Sequence, residues 1–261
     1  MQSLFNLLSY PSKLKNLFWF FDYDGTLTPI VSEPERATLG PEMKRLLDLL
    51  SGRFKVAVIS GRPLAEMERL VPLKEIYYAG NHGFEIKGPG INFVLPEAEL
   101  ARPLISRICA ELQERLGQFS GLIVEGKGLT ASLHYRCVAP EEVDRLAKIF
   151  YRIVRPHVAS GLVRITGGKK VWEIRPNVSW DKGKAVRWML DVADPRKRLL
   201  PIYFGDDTTD EDAFLALRDL GITVLVARGR RRTNAEFFLR DVDEVKSFLE
   251  IFLKSRATPR R

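Results

Sequence analysis

The sequence predicts an α/β protein with a parallel-sheet core and an inserted α/β module. Strand-like and helix-like segments alternate along the first hundred residues and again near the end, which is typical of a parallel sheet covered by helices. Between these parts the order changes to helix, two strands, helix and two strands. At 261 residues the chain is long enough for a full core and one such insertion.

The first part of the core is predicted over residues 1–100. Short apolar runs indicate strands, and the loop after the first of them contains Pro29 and Pro34. In chain order the predicted elements are strand 17–22, helix 41–50, strand 54–59, helix 63–70 and strand 76–78.

The inserted cap domain is predicted over residues 101–176, and the second part of the core over 177–261. Residues 130–136 alternate apolar and polar side chains, which favours an antiparallel sheet with one open face in the cap. The cap elements are helix 97–116, strands 122–125 and 130–136, helix 140–155, and strands 162–166 and 170–174. The later core elements are helix 182–192, strand 199–204, helix 211–218, strand 222–226 and helix 241–252.

Composition describes an ordinary globular protein, with 45% hydrophobic and 28% charged residues. Cys109 and Cys137 lack metal-ligand spacing, so we expect buried free thiols in a reducing compartment. No apolar run reaches the length of a membrane span, and the first residues lack the features of a signal peptide. We therefore expect a cytoplasmic protein that binds no membrane.

The net charge of +8 comes partly from Arg228–Arg232 and the tail 254–261. Basic clusters can bind nucleic acid, but no recognition motif or interleaved aromatic run accompanies these two. A solvated tail with mild steering of an anionic substrate is the better interpretation, and we expect no nucleic-acid partner.

Two carboxylates, Asp22 and Asp24, follow the apolar run 17–21 directly and lead into Gly25. Ligands of open α/β sheets bind beyond the carboxyl ends of strands, and two neighbouring anions repel unless a cation or a proton lies between them. An ordinary Asp-Gly turn is the alternative, because these residues dominate turns.

A second acidic cluster, residues 206–212, follows the apolar run 199–204. Two strands that end in carboxylates suggest one oxygen-rich site for a hard cation such as Mg²⁺. Helix capping by Thr208 or Thr209 and an acidic first turn explain residues 210–212 equally well, but they leave Asp206 and Asp207 unexplained.

Two further segments suggest phosphate binding. Ser60-Gly61-Arg62-Pro63 stands between a strand and a helix, where a hydroxyl and free amides can hold an anion, although a simple N-cap fits as well. Lys182 opens a helix, where a cation is unfavourable unless an anion faces it. Lys184 is interpreted as a solvated surface residue.

The order of acidic pair, Ser, Lys and acidic cluster resembles the haloacid dehalogenase-like phosphatases. Further blocks, spread over residues 19–214, resemble in particular the trehalose-6-phosphate phosphatase family. These blocks are residues 22–30, 80–83, 124–127, 134–136, 168–176, 181–185 and 205–211.

The resemblance implies a Rossmann-like core with an α/β cap and assigns roles to the matching residues. Asp22 is implied as the nucleophile that forms an aspartyl-phosphate, and Asp24 as the general acid and base. Ser60 and Lys182 are implied to hold the phosphate. The Asp22 carboxylate, the Asp24 carbonyl and Asp206 are implied to bind Mg²⁺, with Asp207 or Asp210 in support.

Substrate recognition is expected in the cap, because a disaccharide offers only hydroxyls to polar side chains. Glu125 and Lys127 lie two residues apart, so one strand face would present both. Surface ion pairs are the alternative for each of these side chains, and His134 is expected to be structural. The predicted substrate-binding residues are Gly61, Arg62, His82, Glu125, Lys127, Arg136, Lys169 and Glu173.

The resemblance therefore implies a magnesium-dependent phosphatase that takes a sugar phosphate, trehalose 6-phosphate, as its small-molecule substrate. We expect a monomer, with a trehalose-6-phosphate synthase as the candidate protein partner, although the sequence itself gives neither. Alternatives are a phosphatase of sucrose 6-phosphate or mannosyl-3-phosphoglycerate, a phosphohexomutase, and a sugar-phosphate-binding regulator without catalysis. The regulator would be expected if Asp22, Asp24 or Lys182 were replaced, and all three are present.

Overall fold

The computed structural model describes residues 1–10, 14–31, 36–168, 170–229 and 231–257. The chain divides into two compact units. Unit 1 combines Met1–Phe93 with Trp180–Arg261, and unit 2 is the continuous segment Val94–Ser179. The predicted cap, residues 101–176, lies inside unit 2, which begins seven residues earlier and ends three residues later. The assignment of this unit as a cap stays a prediction.

Unit 1 is built on a nine-stranded sheet. Its strands in chain order are β1 Gln2–Ser3, β2 Leu17–Asp22, β3 Lys55–Ile59, β4 Tyr77–Gly80, β5 Glu85–Gly88 and β6 Ile91–Val94, followed after unit 2 by β11 Leu200–Gly205, β12 Ile222–Val226 and β13 Phe237–Leu239. The spatial order is β1-β13-β12-β11-β2-β3-β4-β5-β6. The pairings from β1 across to β4 are parallel, and β5 turns back antiparallel to β4.

Helices cover both faces of this sheet, which explains why β2 is an unbroken apolar run rather than an alternating one. Trp19 and Phe21 pack on one face with side chains of the helices Pro41–Ser51 and Val242–Ala257, whereas Phe18 and Phe20 pack on the other with side chains of the helices Lys182–Ala193 and Glu211–Ala216. All six residues of β2 are buried. The helices of unit 1 are α1 Pro41–Ser51, α2 Leu64–Leu70, α5 Lys182–Ala193, α6 Glu211–Ala216 and α7 Val242–Ala257.

Unit 2 has a four-stranded antiparallel sheet of order β7-β8-β10-β9 and two long helices. Leu133 and Ile174 point to the helices and form an apolar core with them, while Ser132 and Glu173 alternate onto the opposite face. The elements are α3 Pro96–Leu116, β7 Ile123–Gly126, β8 Ala131–His134, α4 Val143–Ala159, β9 Val163–Gly168 and β10 Val171–Pro176.

The predicted fold class, an α/β protein with a parallel-sheet core and a second α/β unit, is confirmed. The predicted helices and strands are present, with ends that differ by a few residues. The strand predicted over 130–136 ends at His134, and Pro63 precedes α2 as its N-cap instead of opening the helix. The short strands β1, β5, β6 and β13 were not predicted, because two to four residues carry too little periodicity.

Two local predictions are wrong. Thr208 and Thr209 do not cap the turn after β11; Asp207 is the N-cap, in a capping box with Asp210. Cys137 is exposed, because it lies beyond the end of β8, whereas Cys109 is buried in α3 as expected. Across the described ranges, no helix is both long and apolar enough to pass through a bilayer.

Candidate active site

Asp22 is the last residue of β2 and is buried. Its strand lies between β3 and β11, which are followed directly by Ser60 and Asp206. Because parallel strands end at the same edge of a sheet, the three polar side chains that sequence analysis selected converge there.

Three buried carboxylates meet at this edge. Oxygen atoms of Asp22, Asp206 and Asp210 all lie within 4.8 Å of one another. The ammonium of Lys182, the first residue of α5, is 2.6 Å from Asp22 Oδ1 and 2.7 Å from Asp210 Oδ1. Three carboxylates and the ammonium of Lys182 thus meet in one buried cluster.

The local electrostatics follow from this arrangement. Burial raises the pKa of Asp22 well above its ordinary value, and the charges of Asp210 and Asp206 raise it further, against the opposing charge of Lys182. Burial alone would lower the pKa of Lys182, but the charges of Asp210 and Asp22 outweigh it and the pKa is raised. Lys182 is therefore a permanent cation beside Asp22.

Asp210 has all four of its carboxylate acceptor positions occupied. Oδ1 accepts from Lys182 Nζ and from the Tyr203 hydroxyl, each at 2.7 Å. Oδ2 accepts from the amides of Asp206 and Asp207, each at 3.0 Å. An ionised carboxylate offers about four lone-pair positions, so Asp210 has none left for a metal ion. Its role is to hold Lys182, Tyr203 and the two backbone amides in place.

Two glycines allow the acidic residues to approach the backbone closely. A Cβ on Gly25, whose φ is +89°, would lie 2.3 Å from Asp206 Oδ2. A Cβ on Gly205 would lie 2.3 Å from the carboxyl carbon of Asp210. Any side chain at either position would displace a carboxylate of the cluster, so both glycines are required by the site.

Asp24 lies two residues beyond Asp22 and forms a bidentate ion pair with Arg62, at 2.8 Å for each hydrogen bond. Glu66 contacts the same guanidinium. Burial alone would lower the pKa of Arg62, but the hydrogen bond and charge of Asp24, with Glu66, raise it. Arg62 thus fixes the Asp24 carboxylate, and its predicted contact with substrate stays a prediction.

The segment after β3 carries Ser60, the other side chain that was predicted to bind the phosphate. Ser60 is buried, and its hydroxyl accepts from the Arg62 amide at 3.2 Å. Its carbonyl accepts from the amide of His82, a buried residue with a left-handed φ of 58°. A Cβ on Gly61 would lie 2.7 Å from the His82 ring, so Gly61 is the residue that leaves room for this imidazole.

The residues present fit a hard divalent cation. The donor set is entirely oxygen, which favours Mg²⁺ over softer metals. The carboxylate oxygens of Asp22, Asp206 and Asp210 lie close enough to share one ion, and Gly25 makes room for Asp206 beside the turn that carries Asp24.

In unit 2 the polar sheet face brings together three of the predicted recognition residues. Glu125 of β7 and Glu173 of β10 are both directly opposite Ser132 of β8, so their side chains share a face. Lys127 Nζ lies 3.8 Å from a carboxylate oxygen of each glutamate. The group is thus a lysine held between two acids.

The other predicted unit 2 residues differ in placement. Arg136 is exposed in the turn beyond β8, and Lys169 lies outside the described residues. His134, expected to be structural, belongs to the polar group, with Nε2 3.1 Å from Glu125 Oε2.

Comparisons with known proteins identify the family of this chain. Residues 20–243 match the family described as trehalose-phosphatase. The chain belongs to the trehalose-phosphatase family. The predicted family and its phosphatase class are therefore confirmed.

Individual relatives cover most of the chain. It is 37% identical to a probable trehalose-phosphate phosphatase E of Arabidopsis thaliana, over 95% of this chain and 73% of that protein. It is 40% identical to a trehalose-phosphate phosphatase of Mycobacterium tuberculosis, over 88% of this chain and 60% of that protein. The crystal structure of a trehalose-6-phosphate phosphatase related protein superposes with a TM-score of 0.80 at 28% identity, covering 92% of this chain and 98% of that one.

Two residues that support the acidic cluster were not predicted from the sequence. Tyr203 stands inside an apolar strand and was counted only as core, yet its hydroxyl binds Asp210. Arg231, in the basic loop, donates to the Asp207 carbonyl at 3.1 Å. A polar side chain within a buried strand is the signal that could have indicated Tyr203; nothing local indicates Arg231.

Proposed function

We propose that this phosphatase hydrolyses trehalose 6-phosphate with Mg²⁺ and that Asp22 carries the phosphoryl group. The observation that supports it is the position of Asp22: a buried strand-end carboxylate, 2.6 Å from Lys182 Nζ and within a cluster of acids. The family relationship supports the substrate, because the relatives above are trehalose-phosphate phosphatases by name.

In the first step, an Asp22 oxygen attacks phosphorus in line and the bond from phosphorus to the sugar oxygen breaks. Asp24, which must first leave Arg62 and take up a proton, gives that proton to the departing oxygen, so trehalose leaves neutral. Lys182 and the Ser60 hydroxyl hold the remaining phosphoryl oxygens. Since phosphoryl transfer depends mainly on positioning and charge neutralisation, these contacts supply most of the protein's contribution.

In the second step, a water attacks phosphorus and the bond to Asp22 breaks, which restores the carboxylate and releases phosphate. Asp24 accepts the proton of that water. Asp24 must leave Arg62 at least partly to do this, because both of its oxygens are bound by the guanidinium.

The bound Mg²⁺ would shield the negatively charged nucleophile from the anionic phosphate. Asp22, Asp206 and the Asp24 carbonyl would hold it, while Asp210 keeps Lys182 and the Asp206 amide in place. This division follows from the occupied acceptor positions of Asp210.

Recognition of the sugar is proposed for Glu125, Lys127 and Glu173, with Arg136 and Lys169 as further contacts. Alternating acid, base and acid can both accept from and donate to adjacent hydroxyls. The proposal includes a monomeric cytoplasmic enzyme supplied by a trehalose-6-phosphate synthase, and ordinary composition with two free thiols supports the compartment.

The test is phosphate release by wild type and Asp22→Asn over trehalose 6-phosphate, sucrose 6-phosphate and mannosyl-3-phosphoglycerate. Asn keeps the volume but removes the attacking charge, so turnover should fall to background while the circular dichroism stays native. Wild-type rates in a folded Asp22→Asn protein would exclude the mechanism. If wild type had a higher kcat/KM for sucrose 6-phosphate or mannosyl-3-phosphoglycerate, that compound would be the substrate instead.

A further inference from the structure

A cavity of about 330 Å³ lies in unit 1 at the opposite edge of the sheet from the acidic cluster. It is bordered by Asn16, which precedes β2, by Lys55 at the start of β3, and by the loop from α5 to β11. Because β2 has six residues, the cavity and Asp22 are separated by about 20 Å of strand. The cavity is therefore no part of the site proposed for phosphate transfer.

The lining is strongly basic. Lys55, Arg196 and Arg198 line the cavity; the two arginines are exposed at its rim, and within the described ranges neither forms an ion pair. Lys55 Nζ donates to the Tyr77 hydroxyl at 3.0 Å rather than to a carboxylate. The acidic lining residue is Asp194, whose Oδ2 already accepts from the Leu199 amide at 2.7 Å.

The loop that carries the arginines is held in a defined shape. The Lys197 amide donates to the Asp194 carbonyl at 2.9 Å, and the Leu200 amide donates to the Asn16 carbonyl at 2.8 Å. Lys197 has a left-handed φ of 50°, which is unfavourable for a residue with a long side chain, whereas asparagine tolerates the φ of 51° found at Asn16. Such strain persists only where the surroundings impose it.

A simpler explanation exists for part of this group. Cations near the C-terminus of α5 interact favourably with the helix dipole, which accounts for Arg196. It does not account for Lys55, which comes from β3, or for the convergence of three cations on one concave space. Unpaired cations that share a cavity repel one another, so the arrangement favours an anion between them.

We propose that this cavity binds the phosphate group of a small molecule, either inorganic phosphate or a phosphate ester. Arginine guanidinium groups match the oxygens of a phosphate in bidentate geometry, and Lys55 adds a point charge. The volume lies at the lower end of the range for small-molecule sites, which suits a phosphate or a short phosphorylated metabolite. Asn16 would face the non-phosphate part of an ester.

The test is a titration of the ¹⁵N-labelled protein, followed by amide resonances. Inorganic phosphate and glycerol 3-phosphate are the two probes, and the tighter one identifies the source of the phosphate group. The amides of Asn16, Arg196 and Leu199 should shift and saturate with a Kd of about 1 mM or tighter. Amides of residues 24–26 and 206–208 report binding at the acidic site separately, so failure of one proposal is distinguishable from failure of the other.

Two double variants test the role of the arginines, and each replaces two basic side chains by glutamate. Arg196→Glu with Arg198→Glu should weaken the cavity response at least about tenfold, with kcat on trehalose 6-phosphate unchanged. Lys44→Glu with Lys254→Glu, on exposed positions of α1 and α7, should leave the cavity response intact. Shifts that fail to saturate in wild type, or equal weakening in both double variants, would overturn the proposal.

Discussion

Lys182 Nζ lies 2.7 Å from Asp210 Oδ1, with both side chains buried, although the two residues are 28 positions apart. The same ammonium is 2.6 Å from Asp22. Asp210 thus determines where the cation stands relative to the proposed nucleophile, and its second oxygen fixes the backbone of Asp206. The Asp210 side chain therefore holds Lys182 on one side of the acidic cluster and the Asp206 backbone on the other.

Asp210→Asn should therefore lower both stability and activity. An amide cannot accept at all four positions, so its NH₂ group must face either Lys182 and Tyr203 or the two backbone amides. The free energy of unfolding should fall by about 2–3 kcal/mol, and kcat should fall because Lys182 loses its position.

Urea unfolding in chelator and phosphate release measure these two effects. Asp219→Asn is the control, because Asp219 is exposed and should change neither quantity. A fully stable Asp210→Asn protein would show that the four hydrogen bonds contribute little.

Activity should require Mg²⁺, disappear in chelator and return when Mg²⁺ is added back. Mg²⁺ should also stabilise wild type, by about 2.7 kcal/mol at a hundredfold excess over Kd. Asp206→Ala should reduce this stabilisation and raise the Mg²⁺ concentration needed for activity. Calorimetric melting with and without Mg²⁺ measures the effect, and full activity in excess chelator would rule out the metal site.

Asp22→Asn should make the metal-free protein more stable than wild type near neutral pH. The folded-state pKa of Asp22 is raised above its ordinary value of 3.8, so the folded protein retains a proton that the unfolded chain loses. Wild-type stability therefore falls as pH rises from 3.8 through the folded pKa. Asn does not ionise, so the stability of Asp22→Asn relative to wild type should increase as the pH rises from 3.8 through the folded pKa. Below pH 3.8 the difference due to ionisation should vanish.

Unfolding by urea in chelator, from about pH 4 to about pH 8, measures this difference. A constant difference at every pH would mean that Asp22 is not the group responsible. With added Mg²⁺, wild type should become more stable than Asp22→Asn, because the cation binds the ionised carboxylate of Asp22.

Glu125→Ala or Lys127→Ala should lower kcat/KM for trehalose 6-phosphate at least tenfold, roughly 1.4 kcal/mol, because truncation leaves sugar hydroxyls unpaired. Hydrolysis of a small aryl phosphate should stay nearly unchanged, since that substrate has no disaccharide to recognise. Glu141→Ala, an exposed position in unit 2, is the control. Equal losses on both substrates would assign these residues to the fold or the chemistry.

Sequence alone was sufficient for the features that depend on neighbouring residues. The apolar run before Asp22 predicted a strand buried on both faces, and its carboxyl end predicted where the acids meet. Lys182 was correctly expected to face an anion, because a cation at a helix start needs one.

Features that depend on distant contacts were not predictable. Asp210 looked like a capping residue, and it is one, but the same carboxylate also binds Lys182 and Tyr203. The bidentate pair of Arg62 with Asp24 joins two loops whose separation no local pattern gives. The unit 2 group of Glu125, Lys127 and Glu173 was expected from the family resemblance, and the strand register explains why they meet.

The division of the chain into a continuous unit 2 and a split unit 1 has a consequence for biosynthesis. β2 leaves the ribosome early, but β11, which pairs with it from Leu17↔Leu200 onward, follows only after all of unit 2. Unit 2 is complete first, and chains fold unit by unit as they emerge. Until β11 arrives, one edge of the apolar β2 is unpaired, and Asp22 has neither Lys182 nor Asp210 beside it. Nascent chains arrested before residue 200 should therefore aggregate or recruit chaperones, and the charged centre assembles only after unit 2 is complete.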